Sequence, residues 1–178
     1  MPYDPNRHHR RSIRLKDFDY SQNAAYFVTL VCKDRDVLLE TPEAADFVDD
    51  AWRWLATRYE RVDLDEYVVM PNHFHGIVVL RENSQGGSRA APTWRTHRKP
   101  LGELIGAFKT VSTRRINAFR DTAGVRLWQR NYYEHVIRND NEFERIRQYI
   151  RDNPSRWCDD PENPAVFAAV GAAREPPS

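Results

Sequence analysis

Hydrophobic and polar positions along the chain follow two periods, and these predict four strands and three helices. Dense runs of β-branched and aromatic residues predict strands at residues 25–33, 65–70, 73–80 and 128–138. Apolar residues at helical spacing predict helices at residues 43–60, 101–123 and 142–153. A turn is expected at Pro71 and Asn72, so the second and third strands should form a tight antiparallel hairpin.

The order of these elements is strand, helix, strand, strand, helix, strand, helix. It predicts a ferredoxin-like βαββαβα sandwich of the α+β class, a four-stranded antiparallel sheet with helices on one face. The first and third strands are expected in the middle. Thr41 and Pro42 indicate the N-cap and first turn of the first helix. Asn139 or Asp140 should cap the last helix, which Pro154 limits.

Composition predicts one folded domain between a basic N-terminal segment and a Pro/Ala-rich C-terminal segment. The chain has 178 residues, 40% of them hydrophobic, which suits one domain with a core of its own. We expect a basic N-terminal arm at 1–20, a domain at 21–157 with a flexible basic loop at 81–100, and a loosely ordered Pro/Ala-rich tail at 158–178. The formal net charge of +1 excludes a general basic coat but allows a local basic groove.

Nothing in the sequence predicts export or membrane insertion. The arginine-rich N-terminus has no apolar stretch typical of a signal peptide, and no window is apolar enough for a membrane span. The two cysteines, Cys32 and Cys158, lie far apart and match no disulfide framework or metal-ligand spacing. These features predict a cytoplasmic protein with no membrane partner.

The segment YVVMPNHFHGIVVL, from Tyr67 to Leu80, carries the most informative polar pair. His73 and His75 are two residues apart on a predicted strand, so both imidazoles leave the same face. Such a pair suits a divalent cation, although two polar rings can also share a face and hydrogen-bond elsewhere. Phe74, Ile77 and Val79 are assigned together to one face that anchors the strand. Mg²⁺ or Mn²⁺ would require a further oxygen ligand.

The last helix, within QYIRDNP, supplies a candidate for that oxygen. Tyr149 and Asn153 are four residues apart, and hence on one side of the helix beside its apolar stripe. Two structural interpretations stay open: Tyr149 as a boundary residue that packs its ring, and Asn153 as a helix C-cap before Pro154. His135, on the fourth strand, is either a further site residue or, as we favour, a structural histidine.

A phenol beside a bound cation would support transesterification of DNA, in which Tyr149 forms a phosphotyrosine link. Single-stranded DNA would need a groove that is basic and lined by aromatic side chains. The candidate DNA-binding residues lie in the arm, the loop and the second helix: Arg10, Arg11, Arg14, Arg98, Lys99, Lys109, Arg114 and Arg115. The candidate stacking residues are Trp94, Trp128, Tyr132 and Tyr133. The arm can equally be a solvated tail.

Three blocks in this order, MPNHFHGIVVL, WQRNYYEHVIR and YIRDNP, resemble the REP-associated tyrosine transposases, which are single-tyrosine HUH transposases. The resemblance covers about residues 26–156. It implies that His73 and His75 bind the metal, that Tyr149 is the nucleophile and that Asn153 is an amide-type third ligand. It also implies the ferredoxin-like fold, with 21–157 as the catalytic domain.

The resemblance further implies an activity. This is cleavage and rejoining of single-stranded DNA at hairpin (REP-like) sites through a 5′-phosphotyrosine intermediate, with Mg²⁺ or Mn²⁺. Two other functions stay open: a DNA-hairpin binding protein of the same fold without chemistry, and a metal-dependent hydrolase that uses only the histidine pair. The protein is expected to be a monomer with the tyrosine in cis or a homodimer that exchanges the tyrosine helix.

Overall fold

A computed structural model describes residues 19–82 and 99–166 of the chain. Within these ranges, strands and helices follow the predicted order: β1 (Ala24–Val31), α1 (Pro42–Arg58), β2 (Val62–Val69), β3 (His73–Leu80), α2 (Leu101–Arg120), β4 (Tyr133–Ile137) and α3 (Asp140–Asp152). The strands form one antiparallel sheet in the order β2-β3-β1-β4, with β1 and β3 in the middle. The α+β class and the predicted topology are confirmed.

The two helices α1 and α2 cover one face of the sheet. Alternate residues of β1 and β3 point toward them, including Tyr26, Val28 and Phe74. Trp52 of α1 lies among these side chains, with its ring 4.7 Å from that of Phe74 and 5.3 Å from that of Phe108 of α2. This closely packed aromatic group forms the centre of the main core and supports β3 on the face covered by α1 and α2.

The third helix, α3, covers the opposite face. Its one fully buried side chain, Ile150, packs with Phe27 of β1, Ile77 of β3 and Ile137 of β4. The expectation of helices on one face therefore holds for α1 and α2, while α3 forms a third layer. The assignment of Phe74 to one face with Ile77 and Val79 was wrong, because even- and odd-numbered residues of β3 point to opposite faces.

Ion pairs add to the attachment of α3. A bulge interrupts the pairing of β2 with β3 between Leu64 and Tyr67, and the residues within it are acidic. Arg147 donates to both carboxylate oxygens of Asp65, at 2.6 and 2.5 Å. Arg151 donates to Glu66 at 2.9 Å. Two cations of α3 therefore tie the helix to the edge strand, in addition to a small apolar contact.

The helix ends agree with the predicted capping. The Thr41 hydroxyl accepts from the Ala44 amide at the start of α1, and the Asn139 side chain accepts from the Glu142 amide at the start of α3. Pro154 ends α3 as expected, and the chain continues as a 3₁₀ helix, Pro154–Asp159.

The fourth strand is shorter than predicted, and Lys109 of α2 supplies the reason. Its ammonium donates to the carbonyls of Gln129, Arg130 and Asn131, at 2.9, 3.4 and 3.1 Å. Those carbonyls are therefore directed at α2 rather than at β1. Trp128 makes only an isolated bridge with Cys32 before β4 begins at Tyr133.

Residues 158–166, which the sequence assigned to a loose tail, pack against the end of the sheet. Asp160 is only 7% exposed, and Glu162 pairs with Arg35 at 2.8 Å. The division into arm, catalytic domain and tail stays a prediction, since the arm, most of the loop and the end of the tail lie outside the described residues. Across the described ranges, no helix combines the length and apolar character needed to cross a membrane.

Candidate metal and tyrosine site

The histidine pair lies at the start of the central strand β3, on the face covered by α3. His73 and His75 are 0% and 4% exposed, and their ring centroids are 4.6 Å apart. In the sheet register Val31 pairs with His73 and Thr29 with His75, so β1 runs alongside both. The rings are thus fixed side by side on a strand that is hydrogen-bonded on both edges.

Both rings use Nδ1 for a contact within the protein. Nδ1 of His75 lies 2.8 Å from the Thr29 hydroxyl, and Nδ1 of His73 lies 2.9 Å from the Asn72 side-chain oxygen. This leaves the two Nε2 atoms for other partners. Metal-binding histidines typically have one nitrogen held by a neighbouring polar group while the other binds the ion.

Burial keeps both imidazoles neutral. It lowers the pKa of His75 to about 3, and the adjacent His73 adds to that shift. Burial also lowers the pKa of His73, against the opposing effect of the Asp160 and Glu162 carboxylates. Neutral imidazole is the form that binds a metal, so at neutral pH protons do not compete for these rings.

A buried carboxylate completes a cluster that the sequence analysis missed. Asp160, just after the 3₁₀ helix, has an oxygen 3.7 Å from Nε2 of His73. Ligand atoms of His73, His75 and Asp160 all lie within 4.8 Å of one another. The sequence signal was slight, since Asp160 is one of several acidic residues in a proline-containing segment and no periodicity relates it to β3.

The side chain of Asn153, the proposed amide ligand, contacts His73 of the same cluster. It is 3% exposed, and its Oδ1 is buried without a hydrogen-bond donor among the described residues. Nε2 of His73 is likewise buried without a hydrogen bond in the same part of the chain. Buried polar atoms are normally paired, and two such acceptors beside a carboxylate are what a divalent cation would satisfy. The residues therefore fit a metal ion.

The Tyr149 hydroxyl faces this cluster from α3, at 3.4 Å from Nε2 of His75. Its ring stands edge-on to Phe27, 5.9 Å between centroids at 86°, and packs on His75 at 5.3 Å. The side chain is 44% exposed, so it is held on one side and open to solvent on the other. The tyrosine, both histidines and Asn153 predicted from sequence are thus brought to one place.

His135 has a structural environment. Its Nε2 lies 2.8 Å from Glu142, whose other oxygen accepts from the Arg138 amide. The pair ties β4 to the first turn of α3.

The candidate DNA-binding residues are more scattered. Arg10, Arg11, Arg14 and Arg98 lie outside the described residues. Four others lie on the α1–α2 side of the sheet, opposite the histidines: Lys99, Lys109, Arg114 and Arg115. Lys99 pairs with Glu103 and Arg115 with Asp50, while Arg114 is exposed.

The candidate stacking residues also lie in different environments. Trp94 lies outside the described residues, Trp128 is 2% exposed in the core, and the Tyr132 ring lies beneath Lys109. Tyr133 is 45% exposed and packs on Phe27 at 6.3 Å, on the same face as Tyr149. Of the described candidates, Tyr133 is the one that could stack on a base beside the site.

No protein-family model matches the chain. An uncharacterized protein of Haemophilus influenzae is 32% identical over 173 residues, covering 89% of this chain and 95% of that protein. A second protein of the same organism, provisionally named a REP-associated tyrosine transposase, is 25% identical over 147 residues, covering 76% and 73%.

Among solved structures, that of a REP-associated tyrosine transposase bound to a REP hairpin matches with a TM-score of 0.57 and 18% identity, over 82% of this chain and 73% of the other. At this identity the likeness establishes the fold. Together with the sequence similarity, it confirms the resemblance inferred from the three motifs and indicates a transposase-like role in DNA processing. The chain therefore belongs to the same family as the uncharacterized Haemophilus influenzae protein and is a structural neighbour of the REP-associated tyrosine transposases.

Proposed function

We propose that this protein is a metal-dependent endonuclease and strand transferase that cleaves and rejoins single-stranded DNA through Tyr149. The observation that carries the proposal is the approach of the Tyr149 hydroxyl to within 3.4 Å of a buried, neutral histidine pair. A half-exposed tyrosine hydroxyl beside a cluster of possible metal ligands can attack a phosphodiester that approaches from the solvent side.

Four residues would hold the ion: His73, His75, Asn153 and Asp160. A bound Mg²⁺ or Mn²⁺ would supply Lewis-acid stabilisation of the negative charge on the scissile phosphate. Thr29 and Asn72 orient the two rings through Nδ1 and keep Nε2 directed into the site. Phe27 supports the rings of His75 and Tyr149 from the sheet.

The chemical step is a balanced exchange of one phosphodiester for another. The Tyr149 oxygen forms a bond to phosphorus and releases its proton to solvent, while the bond from phosphorus to the 3′ oxygen breaks. The 3′ oxygen takes up a proton and leaves as a hydroxyl, so the 5′ end stays linked to the tyrosine. Attack by another 3′ hydroxyl on this link reverses the exchange and joins two strands without ATP.

The substrate is single-stranded DNA that carries a hairpin of the REP type. The structural neighbour was solved with such a hairpin, which supports this choice. The exposed ring of Tyr133, on the same face as Tyr149, supports stacking of an unpaired base next to the site.

The test is incubation with labelled single-stranded DNA from the flanks of the gene, with and without Mn²⁺, followed by denaturing electrophoresis. We expect a covalent protein–DNA adduct that requires the metal and is absent in Tyr149→Phe. Tyr133→Phe serves as the matched control, because it removes a phenol hydroxyl from the same face and retains the ring. Binding without an adduct would support a hairpin-binding protein, and cleavage that survives Tyr149→Phe would support a hydrolase.

A further inference from the structure

A basic cavity lies beside the candidate metal site, and none of its lining residues takes part in the proposed chemical step. It has a volume of about 390 Å³ and is lined by the segment after β1 and the segment before β4. Four cationic side chains line it: Lys33, Arg35, Arg126 and Arg130. Such a concentration of positive charge is notable in a chain whose formal net charge is only +1.

Neighbouring carboxylates neutralise the positive charges in the cavity only in part. Lys33 pairs with Asp34 at 2.6 Å and Arg35 with Glu162 at 2.8 Å. Arg126 and Arg130 are exposed and pair with no acidic residue in the described part of the chain. Counting both carboxylates, the cavity keeps an excess of two positive charges. Asp34 raises the pKa of Lys33, whereas the nearby Arg126 guanidinium opposes that rise, so an anion would relieve the repulsion between the two cations.

The cavity is connected to the metal site through one side chain. The Asn72 amide donates to the carbonyls of Arg35 and Glu162, at 3.0 and 2.6 Å, while its oxygen contacts His73. Val31, the partner of His73 in the sheet register, precedes Lys33 by two residues. The Asn72 side chain and the end of β1 therefore link the cavity to the histidine pair.

We propose that this cavity binds the phosphate backbone of the single-stranded DNA next to the cleaved bond. The inference rests on the proposed function, because it takes that DNA as the ligand. Arg126 and Arg130 bind phosphate oxygens directly, since both guanidinium groups are exposed and no carboxylate of residues 19–82 or 99–166 pairs with them. The exposed Lys33–Asp34 pair opens at small cost, because surface ion pairs contribute little to stability.

The test measures the salt dependence of DNA binding by fluorescence anisotropy, with a labelled single-stranded oligonucleotide from the gene flank. Tyr149→Phe is the background for every variant, so that cleavage does not interfere. Each lost phosphate contact lowers the slope of log Kd against log salt by about 0.7 for single strands. We expect Arg126→Gln/Arg130→Gln to lower the slope by roughly 1.4 and to weaken Kd about tenfold at ~0.15 M salt.

The matched control is Arg53→Gln/Arg58→Gln, which removes two exposed arginines of α1, on the side of the sheet opposite the histidines. Its slope should stay unchanged. Equal losses in both double variants, or no change in the cavity variant, would overturn the proposal. Arg126→Lys/Arg130→Lys keeps both charges and should restore the slope, and thermal melting verifies that all variants fold.

Failure of the cavity proposal can be distinguished from failure of the proposed function. The adduct assay is run on the same arginine variants with Tyr149 restored. A wild-type chain that forms no adduct, while the cavity variant still loses its slope, contradicts the covalent chemistry alone. A wild-type chain that forms the adduct, while the slope is unaffected, contradicts the cavity alone.

Discussion

Replacement of glycine by alanine should have opposite effects at two positions of this protein. Gly76 lies in β3, one residue after His75, and a Cβ there would stand 2.8 and 2.9 Å from ring atoms of Phe74 and 2.9 Å from the Trp52 ring. Gly106 lies within α2, and a Cβ there meets no atom within 4 Å.

The expected magnitudes follow from packing and backbone entropy. Phe74 and Trp52 are both 0% exposed and pack against Phe108, so neither ring can move aside without disturbing the other. Overpacking of this kind costs about 1–3 kcal/mol. At Gly106, alanine stabilises the helix by roughly 0.5–1 kcal/mol. In a chain of this size each kcal/mol shifts Tm by about 2–4 °C.

The assay is urea denaturation followed by circular dichroism, with thermal melting as a second measurement. Gly76→Ala should lower the free energy of unfolding by about 2 kcal/mol, and Gly106→Ala should raise it by about 0.7 kcal/mol. The reasoning fails if the two variants shift stability in the same direction, or if Gly76→Ala is neutral, because the aromatic group would then have room to adjust.

Three further predictions concern charged groups. Asp65→Asn should destabilise the protein by about 1 kcal/mol and speed amide exchange in α3, because it weakens the ion pair with Arg147. A double-mutant cycle with Arg147→Gln that shows no coupling would contradict the contribution of this ion pair to stability. Because burial lowers the pKa of both buried histidines below 6.5, the unfolded chain binds protons first as the pH falls. Metal-free stability should therefore drop below pH 6.5, with His75, whose pKa is about 3, contributing up to about 1.4 kcal/mol per pH unit. Denaturation between pH 7 and 5 measures this, and His75→Asn should flatten the profile. Lys109→Met should destabilise the protein by about 1–3 kcal/mol, because three hydrogen bonds to carbonyls are lost, and should leave DNA affinity unchanged. Unchanged stability with weaker DNA binding would instead support Lys109 as a DNA contact.

Local patterns in the sequence were enough for the elements and for most of the site. Spacing of two on a strand and of four on a helix fixed the faces of His73, His75, Tyr149 and Asn153, because backbone geometry alone determines those relations. The sheet order followed from the order of elements. The position of α3 on the second face could not be predicted in this way, because its apolar stripe suits either face of the sheet. The acidic bulge of β2 that binds Arg147 becomes visible only when the strands are paired.

Contacts that depend on distant backbone could not be predicted from the local pattern. Lys109 has the sequence context of a DNA contact, but its ammonium lies under the turn before β4, where burial lowers its pKa to about 8. Its attraction to three carbonyls also shortened the strand predicted from residue 128. The position of the Lys109 ammonium and the shortened strand thus have one cause, a tertiary contact between α2 and a segment that the periodic pattern alone would extend into the sheet.

Asp160 shows the same dependence on tertiary structure within the site itself. Tyr149 and Asn153 reach the histidines because α3 crosses the sheet, and the 3₁₀ helix after Pro154 then turns the chain back so that a carboxylate arrives beside His73. The phenol, amide and carboxylate beside the histidines therefore come from one continuous segment, 149–160, which Arg151 ties to β2 and which Ile150 packs against the sheet. A displacement of this segment would remove all three groups from the histidines together, so the position of α3 determines whether the site is complete.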